Sequence, residues 1–491
     1  MLADASDPGS EPALIANFPG SVSNLKVRAL RNGNFALACS APVTRDGKMA
    51  NPADKPAPHS TARVHTSLFV RQWDTWVEDT ANAIWYGCLQ KEDTPKLDNH
   101  VGSAYELLPK TGLVNALAGT GLASPVPPFG GTDDFDIGPC CLAFVAKDPL
   151  ICPATYTKTD LYVLHIADFA SPDPAEEPRP VDTGPLCGYS ASPAFSHRGD
   201  RLVFTRMRSN QYESDKPRLM LVERLDGKHL SREVPESSEF YQTDLGEGGW
   251  DARPERPVWS ADDSELYVTA EEHGRSKLWK LSAQPSRGMD QLPVALTSEG
   301  SVSEVSLLAD GSDKLFVTSS SLVDNSCYSI LDPASGKTET LSSGSKHGKT
   351  FGLSKTQFDE FWFKGAGDYN LHALVMKPSD FDESKRYPLA LLIHGGPQGA
   401  WTDGWSSRWN PAIFAEQGYI VVSPNPTGST GYGMALQNGI KGQWGGRPYN
   451  DLVNCFEHIE DNMPYVDTRN AVALGASYGG YMISKSRLPP P

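Results

Sequence analysis

Through roughly the first 350 residues, apolar positions fall in short alternating runs divided by polar turns, and one phrase recurs. Ser192-Pro193-Ala194-Phe195-Ser196 leads through Arg198-Gly199-Asp200 to Leu202-Val203-Phe204. Arg256-Pro257-Val258-Trp259-Ser260 leads through Asp262-Asp263 to Leu266-Tyr267-Val268. Ser301-Val302-Ser303 leads through Asp310-Gly311 to Leu315-Phe316-Val317, and Ser21-Val22-Ser23 through Asn32-Gly33 to Phe35-Ala36-Leu37. Each copy is a strand end, a turn and a β-rich run. A loose period of about 50 residues marks β-propeller blades, each of about four short strands. A β-sandwich with similar hairpins competes, but the number and spacing of the copies favour a propeller of about five blades' worth of chain. In the copy starting at Arg256, residues 277–281 supply the next strand. The Pro/Ser/Asp-rich pieces 52–58, 124–129 and 171–180 read as surface loops.

The pattern changes near residues 342–349. Residues 360–364 and 371–376 read as a hairpin around Gly365-Ala366-Gly367-Asp368, and 389–393 as an all-apolar buried strand. Asn410 with Pro411 opens a helix that Gly418 closes, and 419–422 is the following strand. Residues 451–462 place Leu452, Val453, Phe456, Ile459 and Met463 on one helical face. The apolar run 471–474 then feeds Gly475-Ala476-Ser477-Tyr478-Gly479. The predicted fold class is an all-β propeller, incomplete, followed by the N-terminal part of an α/β-hydrolase domain. The predicted boundaries are 1–350 and 351–491, with the second domain stopping after its elbow.

That last stretch has the form G-x-S-x-G, a strand, a tight turn and a helix that lift a serine hydroxyl clear of a sheet. Ser477 is the candidate nucleophile. Side chains at Gly475 and Gly479 would collide with neighbouring backbone or block the turn's dihedrals. A tetrahedral intermediate needs oxyanion donors. The Tyr478 backbone N–H is the expected first donor. The second comes from Gly395 or Gly396 in His394-Gly395-Gly396-Pro397, or from the phenol of Tyr432 in Gly428-Ser429-Thr430-Gly431-Tyr432-Gly433. His394 reads as a brace for its loop rather than a catalytic base. In this fold the acid and the histidine follow the serine, yet neither Asp nor His occurs after Ser477. His458, in the helix before the elbow strand, and His372, in the hairpin, are not where a triad base belongs. Residues 486–491, Ser486-Arg487-Leu488-Pro489-Pro490-Pro491, cannot continue a helix.

Composition narrows the partners. The net charge of −16, from 44 basic and 60 acidic residues, gives no electrostatic case for nucleic acid or an anionic membrane. No apolar run approaches the ~20 residues of a membrane span. Residues 1–20 lack a basic n-region and an apolar h-region, so no signal peptide is expected there. None of the 8 cysteines stands in a C-x-x-C pair or near a His in zinc spacing, so neither a metal nor another cofactor is expected. Cys140 and Cys141 are adjacent, each pairing elsewhere or staying reduced. The sequence sets no oligomeric state.

Taken together, four segments resemble the prolyl oligopeptidase family of serine peptidases. They are Phe381-Asp382-Glu383-Ser384-Lys385-Arg386-Tyr387-Pro388, Ile393-His394-Gly395-Gly396-Pro397, Pro426-Thr427-Gly428-Ser429-Thr430-Gly431-Tyr432-Gly433 and Gly475-Ala476-Ser477-Tyr478-Gly479-Gly480-Tyr481. Val70-Arg71-Gln72-Trp73-Asp74-Thr75-Trp76 is similar to the propeller of its dipeptidyl-peptidase V branch, typified by secreted fungal enzymes. The resemblance implies release of N-terminal dipeptides from short peptides, a propeller that limits access to an internal cavity, and secretion of the intact protein. Family members start earlier and run on past the serine, through the strands that supply Asp and His, so the chain is expected to be an interior piece, inactive as given. Residues 484–491 no longer follow the family. With the sheet stopping there, 471–476 is expected to be an unpaired apolar edge and the chain poorly soluble. Two further readings stay open: a non-catalytic propeller that binds peptides, and an acylaminoacyl peptidase or esterase on the same scaffold.

Overall fold

The computed structural model describes the chain except residues 4–8, 10, 55–58, 66–69, 92–104, 173–175, 226–234, 240–249, 285–291, 310 and 487–491. Asp310 of the third repeat phrase and most of the C-terminal tail therefore lie outside the described residues. The chain divides into two compact units, Met1–Tyr241 and Gln242–Pro491.

The first unit contains three antiparallel blade sheets. The first runs Ser23–Ala29, Phe35–Val43, Ala81–Lys91 and Tyr105–Leu108, with Val114–Asn115 also paired to its third strand. The second orders Arg179–Pro180, Asp160–His165, Cys141–Ala146 and Phe135–Ile137. The third is Ser190–Phe195, Arg201–Met207, Pro217–Glu223 and Ser237–Glu239. The second blade escapes the repeat phrase because its first hairpin turns on Gly138-Pro139-Cys140, with no Asp or Asn in the turn. Interior strands such as Cys141–Ala146 are buried on both faces, as stacked blades require. The piece 124–129 is not wholly a surface loop. Ser124 and Val126 are buried, and the Val126 N–H donates to the buried Asp134 carboxylate at 2.6 Å.

The second unit opens with two more blades. These are Glu255–Trp259, Glu265–Glu272, Arg275–Ser282 and Val294–Ala295, then Ser301–Leu307, Leu315–Ser320, Cys327–Leu331 and Thr338–Ser343. The repeat phrases mark the first hairpin of each, and the strand foreseen at 277–281 is Arg275–Ser282. The turns are built by side chains. Ser260 and Ser264 hydroxyls both donate to Asp262, at 2.8 and 2.7 Å, and hold its carboxyl down near about 2.

A mixed five-stranded sheet follows, in the order Phe358–Lys364, Asn370–Met376, Ile420–Asn425, Tyr387–Ile393, Val466–Gly475. The last three strands are parallel and the first two antiparallel. Asn410 caps its helix by accepting from the Ala412 N–H at 3.0 Å, but the helix is brief, Pro411–Ala415. The amphipathic helix runs Arg447–Asn462, four residues earlier than its apolar stripe shows, because Pro448 sits harmlessly in the first turn. Val453, expected on the buried face, is exposed, and Asp451 and Cys455 take the inward positions beside Leu452 and Ile459. The elbow strand pairs on one side only among the described residues, and Val472 is 45% exposed. Ala476 has already left the strand. The helix Tyr478–Ser486 carries the chain to the last described residue, so Ser486 is still helical.

Candidate active site

All sequence candidates lie in the second unit, at the C-terminal ends of the parallel strands. Ser477 stands between the strand Val466–Gly475 and the helix Tyr478–Ser486 with φ of +57°, a left-handed conformation that side chains other than glycine rarely adopt. It is exposed. The flanking glycines are there for proximity. A Cβ on Gly475 would lie 2.7 Å from Ile393 O, and one on Gly479 would lie 2.2 Å from the same oxygen. The unusual dihedral falls on the serine itself, not on either glycine. Strand end and helix start are thus pressed against the neighbouring central strand, and the serine absorbs the turn.

Tyr478 is the first helical residue, so its N–H lies in the turn whose donors have no intrahelical acceptor. Its side chain points inward, and its hydroxyl donates to Trp444 O at 2.7 Å. That bond anchors the helix start without using the backbone amide.

Gly395 and Gly396 follow the central strand Tyr387–Ile393. A Cβ on Gly395 would lie 3.5 Å from Ser477 Cβ and 4.0 Å from Ser477 Oγ. Gly396 has φ of +122°, and a Cβ there would meet Gln398 N at 2.5 Å, so only glycine fits. Ser477, the Tyr478 amide and the Gly395 backbone therefore meet in one place. His394 is buried, with Nδ1 2.7 Å from Gly395 O and Nε2 3.0 Å from Ser429 Oγ. Burial holds the ring below its ordinary range, so it is neutral. A carbonyl can only accept, which puts the proton on Nδ1, and Nε2 lies against the Ser429 hydroxyl, which also donates to Pro426 O at 2.7 Å. His394 braces its own loop through Nδ1 and reaches the 426–433 loop through Nε2.

Tyr432 is engaged elsewhere. Its hydroxyl accepts from Asn425 Nδ2 at 2.8 Å and lies 2.8 Å from His372 Nδ1. Burial pushes His372 down to about 4, so the ring is neutral, and Nδ1 shares a hydrogen bond with the phenol. The rest of the 426–433 loop is equally committed. Thr427 N–H donates to Asp451 at 2.8 Å, the Thr430 hydroxyl pairs with Glu271, and Gly431 O accepts from His273 N–H at 3.0 Å. Asp451 also accepts from Ala366 N–H at 2.6 Å, joining the hairpin turn to this loop. Sequence reading missed Asp451. The signal was its phase, since Asp451, Cys455 and Ile459 recur on the buried stripe of one helix.

Among the described residues no side chain is hydrogen bonded to Ser477 Oγ. His458 stacks on Phe361, ring centroids 4.8 Å apart, on the edge strand opposite the one that ends at the elbow. No described helix is long and apolar enough to cross a membrane.

Comparison with known proteins adds to this geometry. The profile of the prolyl oligopeptidase family matches residues 405–487. The chain is 38% identical over 481 residues to dipeptidyl-peptidase 5 of Aspergillus fumigatus, covering 96% of itself and 62% of that protein. It is 37% identical over 485 residues to dipeptidyl-peptidase 5 of Arthroderma otae, covering 97% of itself and 61% of that protein. The chain thus spans less than two thirds of the length of these curated relatives. Among solved structures it is similar in fold to Pyrococcus horikoshii acylaminoacyl peptidase, with a TM-score of 0.63 at 15% identity, covering 99% of this chain and 63% of that one.

Proposed function

Since the chain belongs to the prolyl oligopeptidase family, we propose that it is the propeller and nucleophile-bearing part of a serine peptidase that releases N-terminal dipeptides from short peptides. Ser477 attacks the scissile carbonyl and forms the acyl-enzyme. The Tyr478 N–H and a Gly395 or Gly396 amide hold the oxyanion. The observation that carries this reading is the proximity of Gly395 to Ser477, close enough that a Cβ on that glycine would lie 4.0 Å from Ser477 Oγ. Tyr432 serves instead to fix the loop beside it. Dipeptides are the favoured product because the relatives named above are dipeptidyl-peptidases. Secretion of the protein is proposed on the same likeness.

The polypeptide of residues 1–491 on its own is expected to hydrolyse peptides negligibly. Ser477 has no base bonded to it among the described residues, and a serine without its base loses about 10⁴- to 10⁶-fold in rate. The test compares unblocked and N-acetylated peptides of one sequence. The protein as its source organism makes it is expected to release dipeptides from the unblocked peptide alone. Release of an acetylated residue instead would point to acylaminoacyl hydrolysis, and no release from either would overturn the peptidase reading. Turnover by residues 1–491 at ordinary enzyme rates, about 1 to 10³ s⁻¹, would overturn the expected inactivity of that polypeptide.

A further inference from the structure

The first unit carries a pair of groups that peptide hydrolysis does not use. Cys140 is the last loop residue of the hairpin between Phe135–Ile137 and Cys141–Ala146, and Gly138 N–H closes that hairpin on Cys141 O at 2.8 Å. Successive side chains along a strand point to opposite faces. A turn residue escapes that alternation, and here the two Sγ atoms lie 3.5 Å apart. Both thiols face Leu225 O, at 4.0 and 3.8 Å. The hairpin is held in place from outside. Gly199 lies so close to it that a Cβ would sit 2.2 Å from Pro139 Cδ, and Cys140 O accepts from Ile166 N–H at 2.8 Å. Cys141 is fully buried, whereas Cys140 is partly open and lines a cavity of about 550 Å³ together with Arg31, Asp168 and Arg198.

We propose that Cys140 and Cys141 are a redox modification site, closing to a reversible vicinal disulfide by exchange with a small-molecule disulfide that enters through the cavity. The sulfurs must approach from 3.5 Å to the bond length of about 2.05 Å. Adjacent Cα atoms stand about 3.8 Å apart across a trans peptide, shorter than the roughly 4.4–6.8 Å of ordinary disulfides. The bond formed is therefore strained, which makes it labile and easily reduced rather than structural. Cys140 is the entry thiol. Its thiolate attacks one sulfur of oxidised glutathione, the glutathione S–S bond breaks, and one glutathione thiolate leaves and takes up a proton. Cys141 then gives up its proton and attacks Cys140 Sγ, releasing the second glutathione. Two protein thiols are oxidised, one glutathione disulfide is reduced, and both protons end on glutathione. The adjacent Cys140 thiol and then burial hold the Cys141 thiol well above its ordinary range, consistent with its acting second.

The test equilibrates the intact protein with oxidised glutathione, quenches with acid, alkylates under denaturing conditions and maps the peptides by mass spectrometry. The peptide spanning Cys140 and Cys141 is expected to carry no alkyl group and to be lighter than the dithiol by two hydrogens, with dithiothreitol restoring both alkylation sites. The Cys141→Ser variant is expected to stop at a glutathione adduct on Cys140, and Cys140→Ser to leave Cys141 a free thiol. The exposed Cys152 and Cys187 report that the reagent is active. Two alkyl groups on the wild-type peptide, or adducts that persist there without closing, under conditions that modify Cys152 and Cys187, would overturn the proposal.

Discussion

Residues 394–397 and residues 426–433 are both glycine-rich loops at the ends of neighbouring parallel strands, and both offered an oxyanion donor in the sequence. They differ in what their polar groups touch. In the first, the backbone at Gly395 abuts Ser477, and the histidine that precedes it turns both ring nitrogens away from the serine. In the second, Asp451, Asn425, His372, Glu271 and His273 hold the amides, hydroxyls and carbonyls that a substrate would otherwise meet. Glycine serves approach in one loop and anchorage in the other. The serine's own strand teaches the same lesson. It is exposed along residues 469–473, so contact of Gly475 and Gly479 with Ile393 O fixes Ser477, not burial of its strand.

The sharpest way to break that contrast is at two adjacent glycines. Gly479→Ala puts a methyl group against a carbonyl that cannot yield, and is expected to cost about 3 kcal/mol, read as a lower denaturant midpoint. Gly480→Ala, whose Cβ would meet nothing closer than Gly475 O at 3.6 Å, serves as the control for that variant. It is expected to be neutral or to stabilise by up to about 1 kcal/mol as a helical Gly→Ala change. Equal losses at the two positions would show that the Ile393 contact is not what matters.

Removing the anchor of the second loop comes next. Asp451→Ala leaves the Ala366 and Thr427 amides without their buried acceptor, and is expected to cost about 2 kcal/mol. If the midpoint is unchanged, Asp451 does not join the hairpin to the loop.

A smaller effect is set by pH. An unfolded histidine titrates near about 6.5, while burial holds His372 near about 4 in the folded protein. The unfolded state therefore binds the proton first. The stability that the neutral ring contributes is present above about pH 6.5 and is lost as pH falls towards about 4. Unfolding midpoints between those limits are expected to fall less steeply for His372→Asn than for the wild type. Parallel slopes would assign the pH dependence to other groups.

Tyr432→Phe is the mildest change. Losing bonds to His372 and Asn425 is expected to cost about 1 kcal/mol. Labelling of the serine should stay within about two-fold of wild type, whereas an oxyanion donor would cost about 10²-fold when removed.

Much of this was legible in the sequence because it is local. The blade hairpins announce themselves through polar turns with Gly, Asp or Asn, and in one of them Asp262 collects two hydroxyls. The elbow announces itself through spaced glycines. What was not legible depends on tertiary partners. The second blade's hairpin carries no Asp or Asn in its turn, Asp451 hides a carboxylate in an apolar stripe, and Val453 falls on the stripe yet faces out. The commitment of Tyr432 could not be read either, because His372 lies sixty residues away in the chain.

The central claim is that Ser477 is the nucleophile, and fluorophosphonate labelling tests it most directly. The protein as its source organism makes it would be labelled and the modified peptide mapped, beside residues 1–491 alone. The account predicts a single phosphonylated residue, Ser477, in the source protein and little labelling of residues 1–491. A label on another serine, or labelling unchanged in Ser477→Ala, would contradict it.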